Sequence, residues 1–132
     1  MATNTAGDVG KQYHTDQTHY MTKAIAYTDD GTSVTVGVLP PNAIVTKAYV
    51  HVATAFNGGT TNTVSLGYSG AATAYASAVA LGTVGVIQST TLATSTGAQN
   101  STAKTVLAAV TSTASASTGA GTVVVQYIIP GR

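Results

Sequence analysis

Short runs rich in Val, Ile, Thr and Tyr, separated by clusters of Gly, Pro, Asn and Asp, follow one another along most of this chain. Within several runs apolar and polar residues alternate, which is typical of a strand with one buried face. The last run, TVVVQYIIP, is apolar on both faces and is therefore predicted to be a central strand. With no long helical run among them, these segments indicate an all-β domain.

Two hairpins are predicted in the first half of the chain. The run His19–Thr28 leads into Asp29–Ser33, DDGTS, where Asp-Gly tolerates the positive φ of a hairpin turn. The next run places Val34, Val36 and Val38 on one face, and Pro40-Pro41 ends it because proline donates no ladder hydrogen bond.

The longest strand candidate is NAIVTKAYVHVATAF, which ends at Asn57-Gly58-Gly59. Alternation assigns two sets of side chains to its two faces: Ile44, Thr46, Ala48, Val50, Val52 and Thr54 on one, and Val45, Lys47, Tyr49, His51 and Ala53 on the other. The run after the turn aligns Val64, Leu66 and Tyr68, so the two runs are predicted to pair as a hairpin.

The second half continues the pattern less clearly. Residues 70–80 are Ala-rich and fit a short helix or an irregular loop, whereas 81–92 and 103–113 fit strands. The whole chain then has seven or eight strands, which predicts an antiparallel β-sandwich or jelly roll. Residues 1–18 have no periodicity and are predicted to be an extended N-terminal arm on a domain at 19–132.

Composition indicates a domain that gains stability from assembly. The 132 residues include 25 Thr and 22 Ala but no Trp and one Phe, so the core of a monomer would be thin. Only 7% of residues are charged, and the five Lys and Arg are scattered, which argues against nucleic-acid binding. No membrane span and no signal peptide are expected from the apolar pattern.

Little in the sequence predicts chemistry. There is no Cys and no Glu, and the four Asp lie in the arm or in a turn. His14, Asp16 and His19 have metal-compatible side chains, but an extended arm would not bring them together, so no metal, cofactor or enzymatic activity is predicted. Aromatic and imidazole side chains fit a protein interface better, and the candidates are Tyr13, His14, His19, Tyr20, Tyr49 and His51.

The stretch LPPNAIVTKAYVHVATAFNGGTTNTVSLGYSGAATAY resembles a group of small tailed-bacteriophage virion proteins. The shared features are a proline-led strand from Leu39-Pro40, the turn Thr54–Gly58 and a return strand that ends in Gly67. The stretch covers about a third of the chain. Its residues are structural in type and include no catalytic motif.

The resemblance implies a capsid decoration (cement) protein that binds between major capsid protein subunits. It further implies a homo-oligomer, with a trimer favoured, that is made in the bacterial host cytoplasm and ends up on the capsid surface of the virion. The arm would order on docking to a neighbouring subunit. Two other classes stay open: a head-fibre, tail or receptor-binding module whose tyrosines bind glycan, and, less favoured by the lack of Glu, a hydrolase.

Overall fold

The computed structural model of the chain describes residues 18–93 and 99–130. These residues form eight strands: β1 Thr18–Ala26, β2 Ser33–Leu39, β3 Ile44–Thr54, β4 Asn62–Tyr68, β5 Ala71–Ala80, β6 Gly85–Gln88, β7 Lys104–Ser112 and β8 Ala120–Ile128. Two single-turn 3-10 helices lie at Tyr27–Asp29 and Thr91–Ala93. The predicted arm falls outside the described residues except for Thr18, which begins β1.

The strands pair in a nested order. β1 pairs with β8, β2 with β7, β3 with β6 and β4 with β5, all antiparallel. Further pairing of β3 with β8 and of β4 with β7 joins them into two four-stranded sheets, β1-β8-β3-β6 and β2-β7-β4-β5. One long hairpin folded over into two sheets is a jelly roll. The predicted all-β sandwich, at its upper count of eight strands, is confirmed.

The core lies between the two sheets and is made mostly of valine. The first sheet contributes Val50, Val52, Val123 and Val125, and the second contributes Val64, Leu66, Val106 and Val110, all of them almost fully buried. Alanines such as Ala48 and Ala108 fill the space between these side chains. β8 lies between β1 and β3, which confirms the prediction that TVVVQYIIP is a central strand.

Neither predicted hairpin forms. The strands on either side of Asp29–Ser33 belong to different sheets, and so do β3 and β4 on either side of Asn57-Gly58-Gly59. The turn residues do reverse the chain, as Gly31 with its φ of 78° illustrates. A reversal does not decide which strands pair, however. Each of these strands has an apolar face that is buried only when the chain crosses to the opposite sheet.

Two β-bulges change which side chains face the core. In β2 the register shifts between Thr35 and Gly37, so Val38 is 59% exposed and Leu39 is buried instead. The prediction that Val38 shares a face with Val34 and Val36 is therefore wrong. A bulge inserts one residue into the strand, and alternation read across it assigns the following side chains to the opposite face.

The second bulge lies in β3, between Val45 and Lys47. Val45 is buried together with Ala48, whereas Thr46 is exposed, so the predicted faces are wrong at the start of the strand. From Ala48 onward the alternation is as predicted through Val52. Lys47, Tyr49 and His51 were predicted to share one face, and they do share the outer face of the sheet.

The Ala-rich residues 70–80 form a strand, so the predicted helix or loop is wrong. β5 pairs with β4 and buries Tyr75 and Val79, and this pairing overrides the helix propensity of alanine. The strand predicted over 81–92 is reduced to the four residues of β6 and a 3-10 turn. The strand predicted over 103–113 is confirmed as β7.

Asn57, in the turn that carries the family resemblance, ties two connections together. Its side-chain Oδ1 accepts hydrogen bonds from the backbone N–H of Ser117 at 2.7 Å and of Thr118 at 3.0 Å. The buried ring of Phe56 packs on Gly119, where a Cβ atom would lie 2.6 Å from the ring. The motif therefore fixes the crossing from β3 to β4 against the loop that leads into β8.

Gly67, the last residue of the resemblance motif, lies directly beneath the backbone of β5. A Cβ atom built on it would lie 2.6 Å from the carbonyl oxygen of Ala72, and closer still to that of Ala71. These are backbone atoms of a paired strand, so they cannot move aside as a flexible side chain could. The close approach of the two strands requires glycine at this position.

We expect Gly67→Ala to lower the free energy of unfolding by about 3 kcal/mol, because the added methyl group displaces β5. Gly82→Ala is the matched control, since no atom lies within 4 Å of its Cβ position. Its stability should change by less than about 0.5 kcal/mol. Thermal unfolding of both variants and the wild type measures the difference. Equal melting temperatures for the two variants would contradict the close approach.

Candidate functional site

The outer side of the first sheet carries a set of side chains unlike those elsewhere on the surface. The strand registers place them in rows across β1, β8, β3 and β6, such as Thr22, Val124, Tyr49 and Gln88. We call this surface the tyrosine face. It comprises Tyr20, Thr22, Ala24, Lys47, Tyr49, His51, Val86, Gln88, Thr122, Val124 and Gln126.

The tyrosine face brings together three of the six predicted interface residues. Tyr20 lies on β1, and Tyr49 and His51 lie on β3, two strands away across β8. His19 points to the other side of the sheet, where its ring stacks on Tyr127 with the ring centroids 5.4 Å apart. Tyr13 and His14 lie outside the described residues.

Apolar side chains on this face are exposed to an unusual degree. Tyr20 is 59% and Val86 is 66% exposed, and Val84, just before β6, is 61% exposed. Val124 and Tyr49 lie between them, half-buried. Sequence reasoning did not single out Val86 or Val124. The signal that locates them is the pairing register, which alternation within one strand does not give.

The charge on the tyrosine face is one-sided. Lys47 is exposed at one end of it, and His51 is exposed nearer the other end. The only carboxylates on side chains of the described residues, Asp29 and Asp30, are used in the turn after β1. The Ala26 N–H donates to Asp29 at 2.9 Å, and the Ser112 N–H donates to Asp30 at 2.8 Å. The described part of the face therefore presents cationic and neutral groups only.

The outer side of the second sheet differs in kind. Its outward side chains are mainly hydroxyl-bearing and small, and we call this surface the hydroxyl face: Ser33, Thr35, Val38, Thr63, Ser65, Thr105, Leu107, Ala109 and Thr111. No ring and no charged group occurs among them. Seryl and threonyl hydroxyls remain well hydrated on a free surface, whereas exposed rings and valines favour burial against a partner.

A second candidate site lies beside Tyr68, at the end of β4. The ammonium nitrogen of Lys104 lies 4.7 Å from the centre of the Tyr68 ring and covers one face of it. The Tyr68 hydroxyl is 3.4 Å from Oδ1 of Asn100, a long hydrogen bond. An open recess beside these groups also touches Ser69 and Leu107. With one ring face already covered by Lys104, this recess is a poor platform for stacking a sugar ring.

Tyr75 lies next to this recess but within the core. Its ring is tilted against that of Tyr68, with centroids 5.9 Å apart, and its side chain is fully buried. The Tyr75 hydroxyl makes no hydrogen bond of good geometry, and the polar side chain that acts on it is Asn100. Burial, reinforced by the neighbouring Tyr68 and partly opposed by Asn100, raises the pKa of Tyr75 to about 12. The hydroxyl is therefore a buried polar group that costs stability, with no reactive partner beside it.

Neither a metal-binding cluster nor a membrane-spanning helix is found in the described part of the chain. Residues 18–93 and 99–130 contain no group of three or more His, Cys, Asp or Glu side chains that could hold a metal ion. His14 and Asp16, two members of the weak metal motif, lie outside these ranges. The helices within the same ranges are too short to cross a membrane.

Comparison with solved structures identifies similar chains in two phage capsids. The chain is similar to one in the Cyanophage Pam1 capsid asymmetric unit, with 25% sequence identity and a TM-score of 0.69 over 98% of this chain and 99% of that one. It is also similar to a chain in the acidic stable capsid structure of Helicobacter pylori bacteriophage KHP30, with 18% identity and a TM-score of 0.60 over 90% and 92% of the two chains. No protein-family model and no curated protein matches the sequence.

These similarities confirm the predicted resemblance to phage virion proteins, since both matched chains come from phage capsid structures. At 18% identity the second similarity concerns the fold alone. In the first similarity, a quarter of the aligned residues are also identical, and the alignment spans almost the entire length of both chains.

We expect Tyr75→Phe to stabilise the protein by about 1 kcal/mol at neutral pH, because it removes a buried hydroxyl that makes no hydrogen bond of good geometry. The unfolded chain releases the Tyr75 proton near pH 10 but the folded chain only near pH 12, so this group lowers stability as the pH rises through that window. The variant should therefore lose less stability than the wild type between pH 10 and 12. Denaturant unfolding across that range measures it, and parallel pH profiles would contradict the assignment.

Proposed function

We propose that this chain is a structural protein of a phage particle that decorates and stabilises the capsid by binding between major capsid protein subunits. The observation that carries the proposal is the nearly full-length similarity to chains in two phage capsid structures. Because each alignment spans at least nine-tenths of both chains, the similar chains are also small single-domain proteins.

The surface supports a binding role and offers no catalytic arrangement. The tyrosine face presents two tyrosines, a histidine, the exposed Val86 and the half-buried Val124 over a four-stranded sheet. Tyrosine and apolar side chains contribute most of the binding energy at protein interfaces. The two described carboxylates accept hydrogen bonds from backbone amides in and beside the turn after β1. We therefore assign the chain a structural activity and no enzymatic one.

The remaining parts of the proposal concern assembly. A trimeric homo-oligomer agrees with a core built from valine and alanine, which gains stability from additional buried surface. Residues 1–18 act as an arm that orders on a neighbouring subunit. Synthesis takes place in the bacterial host cytoplasm, and the mature protein lies on the outer surface of the virion.

The alternative, a tail, fibre or receptor-binding module that contacts host glycans, has weaker support. Both similar chains come from capsid structures. Among the described tyrosines, Tyr20 and Tyr49 lie on the tyrosine face, and Tyr68 lies at the recess, where Lys104 covers one side of its ring. Tyr75 is buried, Tyr127 stacks on His19, and Tyr27 lies in the 3-10 turn after β1. These described tyrosines form no single platform on which a sugar could stack.

We expect the purified chain to bind capsid shells that lack it and to raise the temperature at which those shells disrupt. Binding should saturate at a copy number comparable to that of the major capsid protein, because the sites lie between its subunits. Co-sedimentation followed by quantitative gel analysis measures the stoichiometry, and light scattering during heating measures disruption. Saturation at a few copies per particle would instead favour the tail or fibre alternative, and glycan binding by the isolated chain would support it.

A further inference from the structure

We propose that the tyrosine face is the surface that docks on the capsid shell, and that the shell surface opposite it presents carboxylates to Lys47 and His51. The inference rests on the proposed function and names the surface and the partner chemistry that it requires. It is carried by the tyrosine rings, the exposed Val86 and the ammonium group of Lys47, which lie together on this side of the sandwich.

The sandwich has two broad surfaces, the tyrosine face and the hydroxyl face. Val86 on the tyrosine face and Val38 on the hydroxyl face are exposed to similar degrees, 66% and 59%. Val86 lies beside His51 and close to Tyr49, on a sheet face that continues to Tyr20. Val38 lies opposite Thr105, among hydroxyl groups. Tyrosine rings and an exposed valine that share one sheet face are typical of an interface, whereas a single exposed valine without a ring beside it is ordinary.

The charges on the tyrosine face constrain the charge of the partner. Lys47 and His51 lie four residues apart on the same face of β3. Among the described residues of β1, β3, β6 and β8, no carboxylate faces them. Docking removes water from these groups, and a desolvated cation needs an anionic or strongly accepting partner. The missing acceptors must therefore come from the opposing surface.

The same charge pattern argues against a second copy of this face as the occupant. A two-fold contact between two tyrosine faces would bring Lys47 and His51 against another pair of cationic or neutral groups. Neither face would supply a carboxylate for the Lys47 of the other, so the face is not complementary to itself in charge. A different protein, the shell, fits better.

The apolar part of the inference is tested with Val86→Asp and its matched control Val38→Asp, in binding to capsid shells that lack this chain. Val86→Asp should weaken binding at least about tenfold, because it places a carboxylate against an acidic surface. Val38→Asp should bind within about twofold of the wild type. Circular dichroism and thermal unfolding verify that both variants are folded, and Tyr20→Ala provides a second variant on the tyrosine face with the same expected loss.

The predicted pairing of Lys47 with carboxylates of the shell is tested by comparing Lys47→Glu with the control Lys23→Glu. Lys23 is exposed on β1, but its position pairs with Val123, on the core side of the sheet, so it does not belong to the tyrosine face. Lys47→Glu should weaken binding about tenfold and reduce its dependence on NaCl concentration, whereas Lys23→Glu should do neither. Both substitutions change the net charge equally, so a general charge effect would weaken both alike and would overturn the inference.

Three outcomes separate this inference from the function on which it rests. Wild-type protein that fails to bind the shells overturns both. Wild-type binding that Val86→Asp and Lys47→Glu leave intact overturns the docking surface alone. A change in the oligomeric state of Val86→Asp in analytical ultracentrifugation, with shell binding unchanged, also overturns it and assigns the face to a contact between copies.

Discussion

The pairing of β8 with β1 on one side and with β3 on the other is the interaction on which the rest of the molecule depends. It joins the last of the eight strands to the first and holds β1 and β3 in the same sheet. The inward residues of β8, Val123 and Val125, are fully buried in the core. Its outward residues, Val124 and Gln126, bridge Tyr20 on β1 to Tyr49 and Lys47 on β3. One strand therefore completes both the core and the tyrosine face.

The nested pairing also explains how a sequence with so few large apolar residues maintains a fixed surface. Almost every strand pairs with one that is distant in the chain, so side chains from residues 20 to 126 meet on a single sheet. The core beneath them consists of valines and alanines, which are stiff or small and fill the space between two regular sheets. A rigid face of this kind loses little conformational entropy when a partner covers it.

Much of this architecture could be predicted from the sequence, and the failures have physical causes. Alternation located β2, β3 and β4, and the Thr and Val of β7 favoured a strand over a helix there. The doubly apolar pattern of β8 identified it as central. Turn residues located chain reversals, but pairing depends on distant strands, so both hairpins were wrong. The bulges at Val36 and Thr46 shifted the faces by one residue, which a strict period of two does not reveal.

The candidate site was predictable to a lesser degree. Tyr49 and His51 were assigned to one face of one strand, and the structure adds Tyr20 from β1 to the same surface. Val86 and Val124 join that surface only through the registers of β6 and β8. His19 was also a predicted interface residue, but it directly precedes Tyr20 on β1 and therefore points to the opposite side of the sheet. Its ring stacks there on Tyr127.

Cryo-electron microscopy of the purified phage particle, at a resolution that shows side chains, tests the central claim most directly. The account predicts density for this jelly roll on the outside of the capsid, with Tyr20, Tyr49 and Val86 buried against major capsid protein and carboxylates within about 4 Å of Lys47. Density that places the tyrosine face toward solvent, or a particle whose capsid lacks this chain, would contradict it.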